Sequence, residues 1–300
     1  MLDMRSMLRY SKAAPINLIL MAVSIGAQTP AGTPQPSSAP TSPPQQSTTK
    51  PSLERQFLRN ILRDQRAIWT SPFHLSGQDA CWLVPLGLGT AALIGTDHRT
   101  AKQLGDNVTR LSISRHISRI GVGYTAAGIA GGFYLVGRLT KNEKARETGI
   151  LSAEAFIDGV IVSQVLKTVT QRPRPIKDDG SGEFFAGGTS FPSGHSITAW
   201  ALAAVVANEY HDHRLVQIGA YSLAALVSMS RFTGRNHFLS DVLVGSVIGY
   251  GIGRHVYRAH HDPNVDALSG KLKQFKFSPH FKPGYRGRAS VYGISMNYSF

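Results

Sequence analysis

The chain has 300 residues, with 32 lysines and arginines against 18 acidic residues and a formal net charge of +14. That length suits one sizeable domain or two small ones, and the basic surplus favours anionic partners such as phosphate compounds, acidic lipids or nucleic acid. The single cysteine, Cys81, excludes an intramolecular disulfide and a cysteine-built zinc site.

Arg5, Arg9 and Lys12 precede the apolar stretch "INLILMAVSIGA", which ends on small residues at Ser24, Gly26 and Ala27. This layout predicts a secretory signal peptide over 1–27 and export to the cell envelope. Residues 28–52 hold 7 of the 16 prolines and almost no charge, which predicts a disordered linker. Residues 53–80 read as an amphipathic helical lead-in. Leu53, Phe57, Ile61 and Leu62 share one face with charges opposite, and packing on the core is favoured over lying on a membrane.

Six apolar segments follow, near 82–96, 120–137, 150–166, 196–208, 215–230 and 242–253. They lack sustained alternation and hairpin dipeptides, so helices fit them better than strands. The expected fold class is all-α, a bundle of about six core helices over 81–260. Glu154 and Asp158, one helical turn apart, are expected to be solvated or paired structural groups. A bilayer span needs roughly 20 apolar residues, and only 120–137 reaches 18 without a charge. The flanking loops 98–119 and 138–148 are both basic and give no positive-inside bias. The abundant small residues do suit close helix packing in lipid. Membrane-embedded and soluble bundles therefore both stand at this point.

The tail, 261–300, is basic. Its end alternates Tyr292, Ile294, Met296, Tyr298 and Phe300 with small or polar residues, which predicts a short strand or hairpin. The histidine group "HVYRAHH" (255–261) has no cysteine partner and only Asp262 as a nearby carboxylate, so it reads as a solvated helix end.

Three polar clusters sit at the ends of the later helices, where backbone groups are unsatisfied. In "KTVTQRPRP" (167–175), Lys167 and Arg174 are fixed cations, and Pro173 and Pro175 stop the helix. In "FPSGHS" (191–196), Ser193 can cap a helix whose free N–H groups form an anion site. Gly194 permits close approach of a ligand, with His195 beside it. In "SRFTGRNHFLSD" (230–241), His237 and Asp241 lie four apart and so meet on a helix. A carboxylate on one imidazole nitrogen leaves the other as nucleophile or base. Arg231 precedes them, and Gly234 supplies a turn. Singly these are a basic loop, a serine cap with an exposed histidine, and a structural His–Asp pair. Together, two histidines, three cations and a helix N-terminus match the needs of phosphoryl transfer.

In this arrangement the chain resembles the phosphatidic acid phosphatase type 2 and vanadium haloperoxidase superfamily. The family signature is Lys-x6-Arg-Pro, Pro-Ser-Gly-His and Ser-Arg-x5-His-x3-Asp. It is matched at Lys167, Arg174 and Pro175; at Pro192, Ser193, Gly194 and His195; and at Ser230, Arg231, His237 and Asp241. The resemblance implies that His237 is the nucleophile forming a phosphohistidine, that Asp241 orients it, and that His195 is the general acid. Lys167, Arg174, Arg231, Ser193 and the Gly194 amide would bind phosphate. Arg172 would be a spare cation, and Arg235 would face solvent.

The family works without a metal or other cofactor, though vanadate could occupy the phosphate site. The implied activity is hydrolysis of phosphomonoesters or diphosphates, with lipid phosphates of the phosphatidate or isoprenyl diphosphate type as substrates and the membrane as partner. A soluble periplasmic broad-specificity acid phosphatase and a vanadium-dependent haloperoxidase are the competing readings. A nucleic-acid-binding module would explain the charge but not the two histidines and Asp241 in register. Oligomeric state is not legible. In membrane members the site faces outward. Export followed by three spans before Lys167 would place it inward. The segment 82–96, with Pro85 and only 15 uncharged residues, is therefore expected not to span, unless the domain is not transmembrane.

Overall fold

The computed structural model describes residues 53–105, 107–120, 123–176, 181–269, 275–282 and 291–298. The expected signal peptide (1–27) and linker (28–52) lie outside these residues. In chain order the helices are α1 (Leu53–Thr70), a 3-10 turn (Ser71–His74), α2 (Gly77–Leu104), α3 (Val108–Ile120), α4 (Gly123–Thr140) and α5 (Glu143–Thr170). Then come α6 (Gly194–Glu209), α7 (Arg214–Thr233), α8 (Leu239–His260) and α9 (Pro263–Ser269). The six apolar segments are the centres of α2 and α4 through α8. The tail forms an antiparallel hairpin of β1 (Phe275–Lys282) and β2 (Val291–Tyr298), with Phe275 opposite Tyr298.

Local chemistry sets the helix ends. The Asn142 side chain accepts from the Ala145 amide at 3.1 Å and starts α5. Gln171, left-handed at φ 46°, ends it, and the prolines beyond prevent its continuation.

The core lies between α5, α6 and α8. Leu151, Ala155 and Val162 pack with Ile197, Ala201 and Val205, and with Ile252 and Val256. The α6–α8 contact is close because α8 carries glycine at 245, 249 and 253, a stripe on one face. A β-carbon on Gly249 would lie 2.2 Å from the Ile197 carbonyl oxygen, and one on Gly253 2.2 Å from that of Ala201. At Gly245 it would lie 2.7 Å from the Ser193 carbonyl oxygen. The two backbones touch along this seam, which sets the start of α6 against the start of α8.

The lead-in helix α1 packs on the bundle, but through polar groups. Ile61 is buried, whereas Leu62, expected on the same inward face, is 73% exposed. Asn60 donates to Glu154 at 2.9 Å, Gln65 to Asp158 at 2.8 Å, and Asp64 pairs with His255 and His260. Glu154 and Asp158 are thus buried and paired, not solvated. The expected solvated histidine end is also corrected. Chain reversal brings Asp64, Glu147, Glu209 and Asp266 onto His255, His260 and His261.

Large apolar side chains point away from the protein on α2 (Trp82, Leu88), α4 (Leu135, Leu139) and α7 (Leu215, Ile218). Such faces are costly in water and cost nothing in lipid. Among the described residues, four helical stretches, Gly77–Leu104, Val108–Thr140, Glu143–Thr170 and Arg214–Thr233, are long and apolar enough to cross a membrane. The helical unit is accordingly membrane-associated. The expectation that 82–96 is too short to span is corrected: its helix runs for 28 residues straight through Pro85.

Gly249→Ala is expected to cost about 1–3 kcal/mol through overpacking of the seam. Thermal unfolding in detergent measures this.

Candidate active site

Four helix ends meet on one side of the bundle. Lys167 comes from the last turn of α5, His195 from the first turn of α6, and Arg231 from the last turn of α7. His237 and Asp241 flank the start of α8. The loop from α5 to α6 folds back on itself through Phe185 N to Thr170 O (2.8 Å), Gly188 N to Gln171 O (2.8 Å) and Ser190 N to Arg172 O (2.7 Å). Arg174 lies within it.

The expected cations do come together. Lys167 Nζ lies over the bare backbone of Gly194, where a β-carbon would approach it to 3.1 Å. Ser163, Lys167, Gly194, His195 and Thr198 line a pocket of about 160 Å³ there. Lys167, Arg174 and Arg231 are close enough to repel one another. The Nε atoms of Arg174 and Arg231 are buried without a hydrogen-bond partner. Buried donors are normally bonded, so two cationic donors left open in one place suit an anion with several oxygens.

Ser193 is fully buried and caps α6. Its hydroxyl oxygen accepts from the Ser196 amide and from Ser196 Oγ at 3.0 Å, and its amide donates to the Asp241 carbonyl at 3.0 Å.

His237 is 2% exposed, and its Nδ1–H donates to the Ser190 carbonyl at 2.7 Å. A carbonyl can only accept, so the proton is on Nδ1 and Nε2 carries a free lone pair. Asp241 is not the direct partner: its Oδ2 stands 3.7 Å from Nδ1. That oxygen accepts instead from Ser190 Oγ at 2.5 Å and from the Phe238 amide at 2.9 Å. Asp241 therefore orients His237 through Ser190, and caps its own helix as well.

Arg172 is not a spare cation. It is 1% exposed, with Nη1 on Asp241 (2.6 Å) and Ser240 Oγ (2.8 Å), Nη2 on Asp97 (2.9 Å) and Nε on the Gly182 carbonyl (2.8 Å). The Phe238 and Phe184 rings flank it at 4.1 and 4.8 Å. Ser240 closes the group with a hydrogen bond to Asp97. Asp97, Ser190 and Ser240 were missed because no spacing pattern links them to the signature. The turn before His237 also differs from expectation. Gly234 has φ −81°, and the left-handed residue is Arg235 at 54°, which is half-buried. Gly234 is needed for space, since a β-carbon there would meet the Ser230 carbonyl oxygen at 2.9 Å.

Burial and the surrounding charges both shift the titration of the site. Burial, then the fields of Arg231, His237, Lys167 and Arg174, push the His195 pKa down to about 3. Burial also pushes His237 down, against the pull of Asp241. Burial works to raise Asp241, but its hydrogen bonds and the charge of Arg172 hold it below the ordinary carboxylate range. Both histidine shifts favour the neutral imidazole in the free site.

Arg172→Met is expected to destabilise the fold by about 3–5 kcal/mol, since it leaves two buried carboxylates uncompensated. Arg172→Lys should rescue only part of that loss, because one ammonium cannot span both carboxylates. Unfolding midpoints in detergent check both.

Residues 149–264 match the PAP2 superfamily. The lipid A 1-phosphatase of Porphyromonas gingivalis is 35% identical over 65 residues, 21% of this chain and 15% of that protein. A PA-phosphatase related-family protein of Dictyostelium discoideum is 28% identical over 171 residues, 50% of this chain and 61% of that protein. The chain thus spans less than two thirds of either curated relative. Among solved structures, Aquifex aeolicus LpxE aligns with a TM-score of 0.43 and 21% identity, over 54% of this chain and 94% of that one. A transmembrane PAP2-type phosphatidylglycerolphosphate phosphatase from Bacillus subtilis aligns with a TM-score of 0.43 and 23% identity, over 64% and 98%. The signature residues gathered at one end of the bundle fall within residues 149–264, the stretch that matches the PAP2 superfamily.

Proposed function

We propose that the protein is a membrane phosphatase that hydrolyses lipid phosphates through a phosphohistidine. The observation that carries this reading is His237, with Nδ1 tied to the Ser190 carbonyl and its Nε2 lone pair left for attack. Lys167, Arg174 and Arg231 would hold the phosphoryl oxygens, with Ser193 and the Gly194 amide completing the cradle. Nε2 of His237 forms a bond to phosphorus as the bond to the leaving oxygen breaks, and His195 gives that oxygen its proton. His195, now neutral, takes a proton from water as the water oxygen attacks phosphorus and breaks the phosphohistidine. No metal takes part.

A lipid substrate is favoured over a soluble ester by the apolar faces of α2, α4 and α7 and by a second pocket. That pocket, about 160 Å³, lies between α4, α6 and α7 and is lined by Ile129, Phe133, Leu202, Leu223 and Val227. It shares Thr198 with the pocket holding Lys167 and His195, so a hydrocarbon chain would leave the site along it. Phosphatidate and isoprenyl diphosphate are the substrate types that fit. We place the site on the outer face of the membrane. Crossings by α2, α4 and α5 then put α1, with Arg55, Arg59, Arg63 and Arg66, on the inner face, as the positive-inside rule favours. In that topology residues 1–27 do not act as a cleaved export signal.

His237→Ala should abolish phosphate release from a long-chain lipid phosphate while the unfolding midpoint holds. Full activity in that variant would sink the mechanism. With the His195 pKa pushed down to about 3 by burial and the neighbouring cations, the proton would arrive with the substrate monoanion or be taken up as the phosphate offsets the three cations. Rising pH removes that proton from the substrate, so kcat/KM should fall tenfold per pH unit above the second phosphate pKa, about 6. A profile that instead follows a fixed enzyme group, whatever the substrate pKa, would contradict this.

A further inference from the structure

A second polar cluster lies at the other end of the core, twenty residues back along α5 from Lys167, or about 30 Å of helix. Glu147 comes from the first turns of α5, Glu209 from the last residue of α6, and His261 from the residue after α8. One ligand atom from each lies within 4.8 Å of the others. Glu209 is fully buried, and neither of its carboxylate oxygens makes a hydrogen bond. Glu147 is 2% exposed and leaves Oε2 unbonded, while its Oε1 is fixed by the Asp262 amide at 2.7 Å.

The histidine is set for coordination. His261 Nε2 lies 3.0 Å from Asp266 Oδ2, and Asp266 is anchored by Lys144 at 3.0 Å. Tyr257 stacks on the ring at 4.6 Å. A proton on Nε2, donated to Asp266, leaves the Nδ1 lone pair directed at the two glutamates. Nδ1 makes no hydrogen bond, although Glu147 Oε1 is 3.2 Å away and Glu209 Oε1 3.6 Å. A lone pair facing two carboxylates in a buried place is repulsive without a cation among them. A tetrahedral ion with bonds of about 2.0–2.1 Å holds its ligand atoms roughly 3.3 Å apart, which these separations match. A carboxylate behind the imidazole is the usual partner of a metal-bound histidine.

We propose that Glu147, Glu209 and His261 bind one divalent transition-metal ion, of the Zn²⁺ or Mn²⁺ type, with Asp266 as the positioning residue behind His261. Two carboxylates and one imidazole suit such an ion better than Mg²⁺ or Ca²⁺, which take oxygen ligands throughout. The ion ties α5, α6 and α8 at the end remote from the phosphate site. It is a structural clamp and not a cofactor of phosphoryl transfer. The proposal does not rest on the phosphatase reading.

The test uses the full chain in detergent, stripped with a chelator and then dialysed against Zn²⁺ and, separately, Mn²⁺. Metal analysis should find one equivalent of one of these ions, and the unfolding midpoint should rise with its concentration. Glu209→Gln and His261→Gln should each lose that binding, and the second decides if the first does not fold. Asp266→Asn should weaken affinity about 10–100-fold. If the unmodified protein takes up neither ion, or if the folded variants bind as it does, the proposal is overturned.

Discussion

One buried arginine holds the site in place. Asp97 and Asp241 are carboxylates without water, which is costly unless each is paired and hydrogen-bonded. Arg172 does this for both, and Ser240, Gly182 and two phenyl rings use the rest of its surface. The rest of the site follows from Asp241 being fixed. Ser190 hangs on its carboxylate, His237 on the Ser190 carbonyl, and the start of α6 on the Asp241 carbonyl. Through Asp97 the same arginine also fastens α2, whose outer face is otherwise apolar. Two carboxylates against one guanidinium leave a local negative charge. Through Asp241 that charge reaches Lys167 and partly offsets the repulsion this lysine feels from Arg174 and Arg231.

The helix centres were legible because apolar runs are a local property of sequence. Their ends were less so. In α2, Asp97, Arg99 and Lys102 end the apolar run but continue the helix, which made the segment look too short to span. His237 and Asp241 were legible from a four-residue spacing. Their actual link was not, because it passes through a backbone carbonyl, which every residue has. The Arg172–Asp97 pair joins positions 75 apart, and no periodicity encodes such a partner. The histidines at 255, 260 and 261 looked isolated for the same reason. Three of their four carboxylates come from α1, α5 and α6, and only the packing of those helices brings these near; the fourth, Asp266, comes from α9. Leu62 fits an apolar stripe on paper, but the inward face of α1 is chosen by Asn60, Asp64 and Gln65 seeking buried polar partners.

The glycine stripe and the arginine act on the same two helices from different directions. Gly245, Gly249 and Gly253 let α8 lie against the α6 backbone, which fixes the spacing between His195 and Asp241. Arg172 fixes the loop that crosses above them. The histidines therefore stand on closely packed elements, whereas the outer helices α2, α4 and α7 meet the rest of the protein over only part of their surface.

The length of α6 has a consequence for depth. Its 16 residues make about 24 Å of helix, less than the roughly 30 Å of a bilayer's hydrocarbon layer. It is surrounded by α4, α5, α7 and α8, which run longer. In the proposed orientation the helix that carries His195 starts within the length of its longer neighbours, and the proposed phosphate cradle would be sunk toward the lipid headgroups. A phosphorylated lipid would enter it sideways, with its chains still in the leaflet, while a solute arriving from water would have to descend.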